Sequence, residues 1–100
     1  MAKKLKPVHP GEILKEEFMV PLSMNKMAMD LRVAVTRIAD IVAERRGVIA
    51  DAALRFARYF KNTAAFWMNL QTRYDLEVAE DELADKIERD VQPLEMVSGR

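Results

Sequence analysis

The side chains of this sequence best suited to chemistry are polar and basic groups that could contact nucleic acid. Thr36 and Arg37 are adjacent, Asp40 follows three residues later, and the pair Arg45 and Arg46 comes shortly afterwards. Arginine can bind guanine or phosphate, a threonine hydroxyl can contact a base edge or a phosphate, and a carboxylate can accept from cytosine. Two adjacent arginines can clamp phosphates. The residue types therefore indicate DNA recognition by hydrogen bonds and charge.

Catalytic and metal chemistry has less support. The chain has no cysteine and one histidine, His9, so a metal site lacks the usual nitrogen and sulfur ligands. Glu12, Glu16 and Glu17 could act as acid/base carboxylates, but a solvated helix face is their commoner role. No nucleophile or glycine-rich phosphate loop accompanies them. We therefore expect neither an enzyme nor a metal site, and no cofactor.

A helix-turn-helix would place the polar residues on one surface. The apolar spacing predicts helices at about 24–31 and about 35–43 that cross steeply at Ala28. Its predicted inward residues are Met27, Ala28, Leu31, Val33, Ile38 and Ile41. The second helix of such a unit enters the major groove. Its outer faces would carry Thr36, Arg37 and Asp40, together with Val35, which can touch a thymine methyl.

The turn between these helices contains Arg32, where glycine is usual. A left-handed residue with a Cβ costs roughly 1 kcal/mol. Arg32 should either bear that cost or sit in a slightly different turn, with its guanidinium near the DNA backbone.

Further helices should surround this unit. His9-Pro10-Gly11-Glu12 opens a first helix that Pro21 ends, and Ser23 or Asn25 caps the second. A helix from about Ala50 carries an apolar stripe, with Phe56 beside it, and a helix capped by Thr63 runs to about Arg73. The stripe consists of Ala53, Leu54, Ala57 and Phe60.

Aromatic and apolar residues near the end of the chain suggest contacts between subunits. Phe66, Trp67 and Leu70 are at helical spacing and fit a core or a dimer interface, with Trp67 as the first choice of anchor. A separate acidic amphipathic helix is predicted within 76–92. We divide the chain into a flexible basic arm (1–9), a helix-turn-helix DNA-binding domain (10–75), that helix (76–92) and a tail (93–100).

Charge is divided unevenly along the chain, although the 100 residues have a formal net charge of zero. Residues 1–60 hold 11 Lys+Arg against 7 Asp+Glu, and residues 61–100 hold 5 against 9. Phosphate attraction depends on the local patch, so the zero sum does not argue against DNA. No transmembrane or signal segment is visible, and the lack of cysteine fits a reducing cytosol. We expect a cytoplasmic protein, nucleoid-associated when bound to DNA.

Several segments in this order resemble the HigA antitoxins, of the VapI and Xre-like helix-turn-helix class. The resemblance covers residues 9 to about 78. Its segments are His9-Pro10-Gly11-Glu12-Ile13-Leu14, the helix-turn-helix, Arg45-Arg46-Gly47, Ala53-Leu54-Arg55-Phe56-Ala57-Arg58-Tyr59-Phe60 and Phe66-Trp67-Met68-Asn69-Leu70-Gln71.

The resemblance implies an all-α, lambda-repressor-like fold of five to six helices, forming a homodimer. Such antitoxins neutralise a RelE-like mRNA-nuclease toxin and repress their own operon at a palindromic operator. By the family's motif, DNA contacts fall on Asn25 and Lys26 of the second helix and on Val35, Thr36, Arg37 and Asp40 of the third. No residue would be catalytic.

Departures from the family pattern concern turns and caps. Two residues often found between the equivalents of Leu22 and Ser23 are missing here. Ala34, Ala43, Ile49 and Lys61 stand where Pro or Ser, Asn, Thr and Gly are usual. A lost cap costs roughly 0.5 to 2 kcal/mol, so we expect effects on stability and DNA affinity rather than on fold.

Three hypotheses follow. The first is an autorepressing antitoxin, steered to DNA by Lys26, Arg32, Arg37, Arg45 and Arg46. The second is a protein-interaction module with weakened DNA binding, since the predicted recognition surface has few long polar side chains. The third is a phage-type repressor without a toxin.

Overall fold

The computed structural model describes residues 6–95, which form five α-helices and contain no β-strand. The bounds are α1 (Pro10–Ile13), which continues into a π-helical segment (Leu14–Phe18), α2 (Met24–Leu31), α3 (Val35–Val42), α4 (Ala50–Phe60) and α5 (Ala64–Asp90). The prediction of an all-α fold with a helix-turn-helix is confirmed. Parts of the predicted arm and tail, at 1–5 and 96–100, lie outside the described residues. Within 6–95, no helix has the length and apolarity needed to cross a membrane.

Side-chain caps are present where the sequence offers them. The Ser23 hydroxyl accepts a hydrogen bond from the Lys26 amide at 3.1 Å, and the Thr63 hydroxyl accepts from the Phe66 amide at 3.0 Å. Ala34 and Ile49 precede α3 and α4 without any side-chain cap. Of the two residues predicted to cap α2, Ser23 is the cap. The Thr63 cap and the missing side-chain caps at Ala34 and Ile49 are confirmed.

Arg32 ends α2 in the left-handed conformation, with φ 62° and ψ 45°. Its amide donates to the Met29 carbonyl, and the Val33 amide donates to the Ala28 carbonyl at 3.1 Å, so these two carbonyls near the end of α2 are satisfied. Lys61 has almost the same conformation after α4. Of the two alternatives for the turn, Arg32 bears the conformational cost, about 1 kcal/mol.

The core lies between the helix-turn-helix, formed by α2 and α3, and the three helices α1, α4 and α5 that pack around it. Five of the six predicted inward residues of the helix-turn-helix are buried, and Val33 is half-buried. The largest buried side chain is Trp67 of α5, whose ring lies 5.1 Å from the rings of Phe18 and Phe56. Burying apolar surface stabilises the folded state by roughly 25 cal/mol per Å². The aromatic cluster therefore attaches α5 to the rest of the fold.

Two helix predictions are corrected. The helices expected at 64–73 and within 76–92 are one continuous helix, α5, because no glycine or proline interrupts residues 64–90. In α4, the prediction that Leu54 belongs to the buried stripe is wrong, since Leu54 is 64% exposed, whereas Phe56 is fully buried. The buried face of α4 contains Ala52, Ala53 and Phe56, so the apolar stripe lies about one residue away from its predicted position.

His9 is the buried polar group at the start of α1, only 3% exposed. Its Nδ1 accepts the Gly11 amide at 2.8 Å, and its ring packs edge-on against Tyr74 of α5 at 4.8 Å. The predicted role in helix entry is confirmed. Burial lowers the pKa of His9, against the opposing fields of Glu44 and Asp75.

Gly11 is required by a close approach between helices. A Cβ at this position would lie 1.9 Å from the Ile41 carbonyl oxygen of α3, a backbone atom. Gly11→Ala should lower the free energy of unfolding by about 1 to 3 kcal/mol, because α1 and α3 must move apart. Urea unfolding measures this loss. Gly47→Ala is the matched control: its Cβ would meet only the Gln71 side-chain amide, at 2.8 Å, and should cost less. An equal loss in both variants would contradict the explanation.

The lowered pKa of His9 predicts a pH dependence of stability. Below the ordinary value of 6.5 the unfolded chain takes up a proton that the folded chain resists, so stability is full above pH 6.5 and falls as the pH decreases from there. His9→Asn keeps an acceptor for the Gly11 amide but removes this titration. Urea unfolding between about pH 7.5 and 5.5 should show a decline in the wild type that is reduced in the variant. Equal slopes would rule out His9 as its source.

Candidate nucleic-acid interface

The outer face of α3 presents a short strip of side chains to solvent. Thr36 is exposed and Val35 is 39% exposed at the start of the helix, while Asp40 is partly covered. Asn25 and Lys26 are exposed on the first turn of α2. Ile38 and Ile41 of the same helix are almost entirely buried in the core and hold α3 in place. The predicted α2 and α3 residues therefore belong to one helix-turn-helix unit.

Asp40 brings the arginine pair next to this strip. Its carboxylate accepts from Arg45 at 2.8 Å and 3.2 Å, and the Arg46 guanidinium lies 3.7 Å away. The side chains of Arg45 and Arg46 are 64% and 50% exposed. An exposed ion pair contributes little net stability, roughly 0 to 1 kcal/mol. The two guanidinium groups are therefore held near α3 but can readily exchange to another anion.

Arg37 points toward α4 in this structure. Its Nη2 lies 3.1 Å from Oδ1 of Asp51, and the side chain is only 20% exposed. That nitrogen is buried and, among residues 6–95, has no partner in hydrogen-bonding geometry, so the contact is an ion pair alone. The Arg55 guanidinium donates to the same Asp51 oxygen at 2.7 Å. This hydrogen bond first, and the Arg37 contact second, hold the pKa of Asp51 below its usual value.

Arg55 and Tyr59 connect α4 to α2. Arg55 donates to the Leu31 carbonyl at 2.7 Å, which satisfies a carbonyl at the end of α2. The Tyr59 hydroxyl donates to Asp30 at 2.5 Å, and Lys26 donates to the same carboxylate at 3.0 Å. The Tyr59 hydrogen bond is the main reason that the pKa of Asp30 is lowered, and it raises the pKa of Tyr59 in return.

Sequence reasoning missed this network. Lys26 with Asp30, and Asp51 with Arg55, are opposite charges four residues apart on a helix, a pattern that can be read from the sequence. The long-range partners, Tyr59 with Asp30 and Arg37 with Asp51, depend on how α4 packs on the helix-turn-helix. No spacing rule could have found them.

The proposed dimer anchor at Trp67 is corrected. Trp67 is 0% exposed and its indole N–H donates to the Asn62 side chain at 2.9 Å, so it has no surface left for a second subunit. The aromatic cluster formed with α1 and α4 accounts for its burial. Leu70 is half-buried against the core, and Phe66 is 37% exposed. Their role in a dimer stays a prediction.

Metal ligation finds no support in the described part of the chain, where no three His, Asp or Glu side chains are grouped to hold an ion. The exposed guanidinium groups of Arg45 and Arg46 beside α3 are suited to an extended anionic partner. A small enclosed substrate would need a pocket with convergent polar groups.

Comparisons with known proteins agree with this geometry, although no protein-family model matches the chain. Virulence-associated protein I of Dichelobacter nodosus is 51% identical over 77 residues, covering 75% of this chain and 71% of that protein. Antitoxin HigA-1 of Vibrio cholerae is 35% identical over 74 residues, covering 73% of this chain and 70% of that protein.

Solved structures agree over more of the chain. Pseudomonas aeruginosa antitoxin HigA, determined with the higBA promoter, has a TM-score of 0.85 at 44% identity, covering 89% of this chain and 99% of that one. Antitoxin GraA in complex with its operator has a TM-score of 0.85 at 42% identity, covering 96% and 99%. Sequence identity over most of both chains and the shared fold show that this protein belongs to the HigA antitoxin family.

Proposed function

We propose that this protein is an autorepressing antitoxin that binds operator DNA with α3 in the major groove. The observation that carries the proposal is the exposed start of α3 beside Arg45 and Arg46, on a fold shared with antitoxins solved on promoter or operator DNA. Thr36 and Val35 would read base edges, and the arginine pair would contact phosphates. Asn25, Lys26 and Arg32 would position α2 across the backbone. Such a repressor acts in the cytoplasm, where the DNA is.

A homodimer follows from the geometry of DNA. One α3 of eight residues covers only part of a groove, and two copies can occupy successive major grooves about 34–36 Å apart. A palindromic operator matches that two-fold symmetry. We therefore propose a homodimer as the DNA-binding form.

The second partner we propose is a RelE-like mRNA-nuclease toxin. Support comes from family membership, since a relative is an antitoxin by name. The test is a cell-free translation assay with such a toxin encoded beside this chain: addition of the protein should restore translation. Unchanged inhibition, with intact promoter binding, would favour the phage-type repressor without a toxin.

The alternative of a protein-interaction module is favoured by one observation. Arg37, expected to contact DNA, is largely covered and paired with Asp51. Binding to the protein's own promoter against a scrambled duplex of equal composition separates the two functions. The proposal expects a preference for the promoter, and equal weak binding to both duplexes would favour the module.

Arg45→Ala with Arg46→Ala should weaken binding to promoter and scrambled duplex alike. The logarithm of the affinity falls linearly with the logarithm of the salt concentration, and each lost phosphate contact makes that fall less steep by about 0.9. The slope of the double variant should therefore be less negative by about 2. Fluorescence anisotropy at several salt concentrations measures it. Lys15→Ala, an exposed cation on the helix at residues 14–18, is the control and should leave the slope unchanged. An unchanged slope in the double variant would remove the arginine pair from the interface.

Asp40→Asn should have the opposite effect on affinity. The carboxylate occupies Arg45 and Arg46 and repels phosphates, so its neutral amide should tighten binding to any duplex severalfold at low salt. If Asp40 also accepts from a cytosine, the promoter preference should decrease at the same time. Titration of both duplexes measures affinity and preference together. Weaker binding to the scrambled duplex would show that Asp40 positions the arginines rather than restraining them.

A further inference from the structure

From Leu76 onward, α5 carries apolar side chains that residues 6–95 leave exposed. Leu76, Leu83 and Ile87 are 60%, 43% and 51% exposed. At 100° per residue these three lie within about 40° of one another on the helix surface. Glu80 and Asp90 border this stripe on its two sides. Residues 80–90 contain six acidic and two basic residues, so the stripe lies on a strongly anionic helix end.

A groove of opposite charge lies between α2 and α4. Its volume is about 690 Å³, and its lining consists of the apolar Leu31 and Leu54, the cationic Arg55, Arg58 and Lys61, and Tyr59 with Asp30. The Asp30 carboxylate is already paired with Lys26 and Tyr59. Leu54 is 64% exposed in this groove. Arg55 is already held by Asp51 and the Leu31 carbonyl, which leaves Arg58 and Lys61 as the exposed cations. The groove thus offers apolar surface with a basic rim.

The α5 end cannot reach the groove of its own chain. Trp67 packs on Phe56 at 5.1 Å, which fixes where α5 crosses α4. Leu83 lies 16 residues beyond Trp67 on a continuous helix, about 24 Å further along its axis at 1.5 Å per residue. Leu54, by contrast, is within one turn of Phe56. Only another molecule can bring an acidic end to this groove.

We propose that the acidic end of α5 docks into the basic α2–α4 groove of a second copy of this chain, reciprocally in a symmetric dimer. This names the interface of the proposed homodimer and rests on that part of the proposed function. Each copy offers both an anionic apolar helix and a cationic apolar groove, so a two-fold arrangement satisfies both contacts at once. Pairing of two α5 ends would instead bring together two helix ends that each carry six acidic and only two basic residues.

Charge reversal tests both surfaces with the full chain. The groove variant carries Arg58→Glu and Lys61→Asp, since aspartate accepts the left-handed conformation of residue 61 better than most side chains. The end variant carries Glu80→Lys and Asp90→Lys. Sedimentation velocity gives the dimer dissociation constant, and circular dichroism verifies the helix content. Lys15→Glu with Glu16→Lys, on exposed positions of the 14–18 segment, is the matched control.

The wild type and the control should dimerise, and each charge variant alone should self-associate roughly tenfold or more weakly, because like charges then face each other. An equimolar mixture of the two variants should recover the dimer, since the reversed, acidic groove of one variant then meets the reversed, basic end of the other. At the second contact a normal basic groove meets a normal acidic end.

Undiminished association of the groove variant, as α5–α5 pairing predicts, would overturn the proposal. Undiminished association of the end variant, or a mixture that stays monomeric, would do the same. A groove variant that loses promoter binding while staying dimeric would assign the groove to phosphate contact instead, which also overturns it. A monomeric wild type would refute both this interface and the homodimer, whereas promoter binding by the same sample reports separately on DNA recognition.

Discussion

Fixing α3 against the body of the protein is the constraint on which the rest of the structure depends. The helix has only eight residues, and an isolated helix of that length is unstable in water. Two of its residues, Ile38 and Ile41, are almost entirely buried, and the Ile41 carbonyl lies so near Gly11 that the first helix has no room for a side chain there. The outer face of α3 therefore has a defined position before any partner arrives.

Carboxylates keep the arginines around α3 organised without fixing them strongly. Asp40 holds Arg45 and Arg46, and Asp51 holds Arg37 and Arg55. Exposed pairs of this kind are worth little in stability, so exchanging a carboxylate for a phosphate costs little as well. The same contacts reduce the number of side-chain conformations that must be ordered on binding. Arg37 differs because its buried guanidinium nitrogen must leave a largely covered site before it can reach DNA.

The sequence was informative where a property is local. Ser23 and Thr63 cap their helices, Arg32 takes the left-handed turn, and the periodicity of α2 and α3 identifies the buried residues. Properties that depend on distant parts of the chain could not be read in this way. Trp67 has the composition of an interface anchor, but its neighbours Phe18 and Phe56 come from other helices and enclose it. Leu54 and Phe56 have similar apolar character, and only the packing of α4 on α5 decides which one is buried.

The continuity of α5 also explains how a chain with zero formal net charge can attract an anionic partner such as DNA. The screening length at physiological salt is about 8 Å, so a charge acts mainly on its near surroundings. A rigid helix carries Asp85 about 27 Å beyond Trp67, several screening lengths from the level at which α5 packs on α4. Gln71, which accepts the Val48 amide just after the arginine pair, lies 14 residues before Asp85, about 21 Å along the helix axis. Within one chain, the last carboxylates of α5 therefore subtract little from the potential of Arg45 and Arg46. Two short helices joined by a flexible turn, as the sequence first suggested, would have let the acidic segment fold back and compete with DNA.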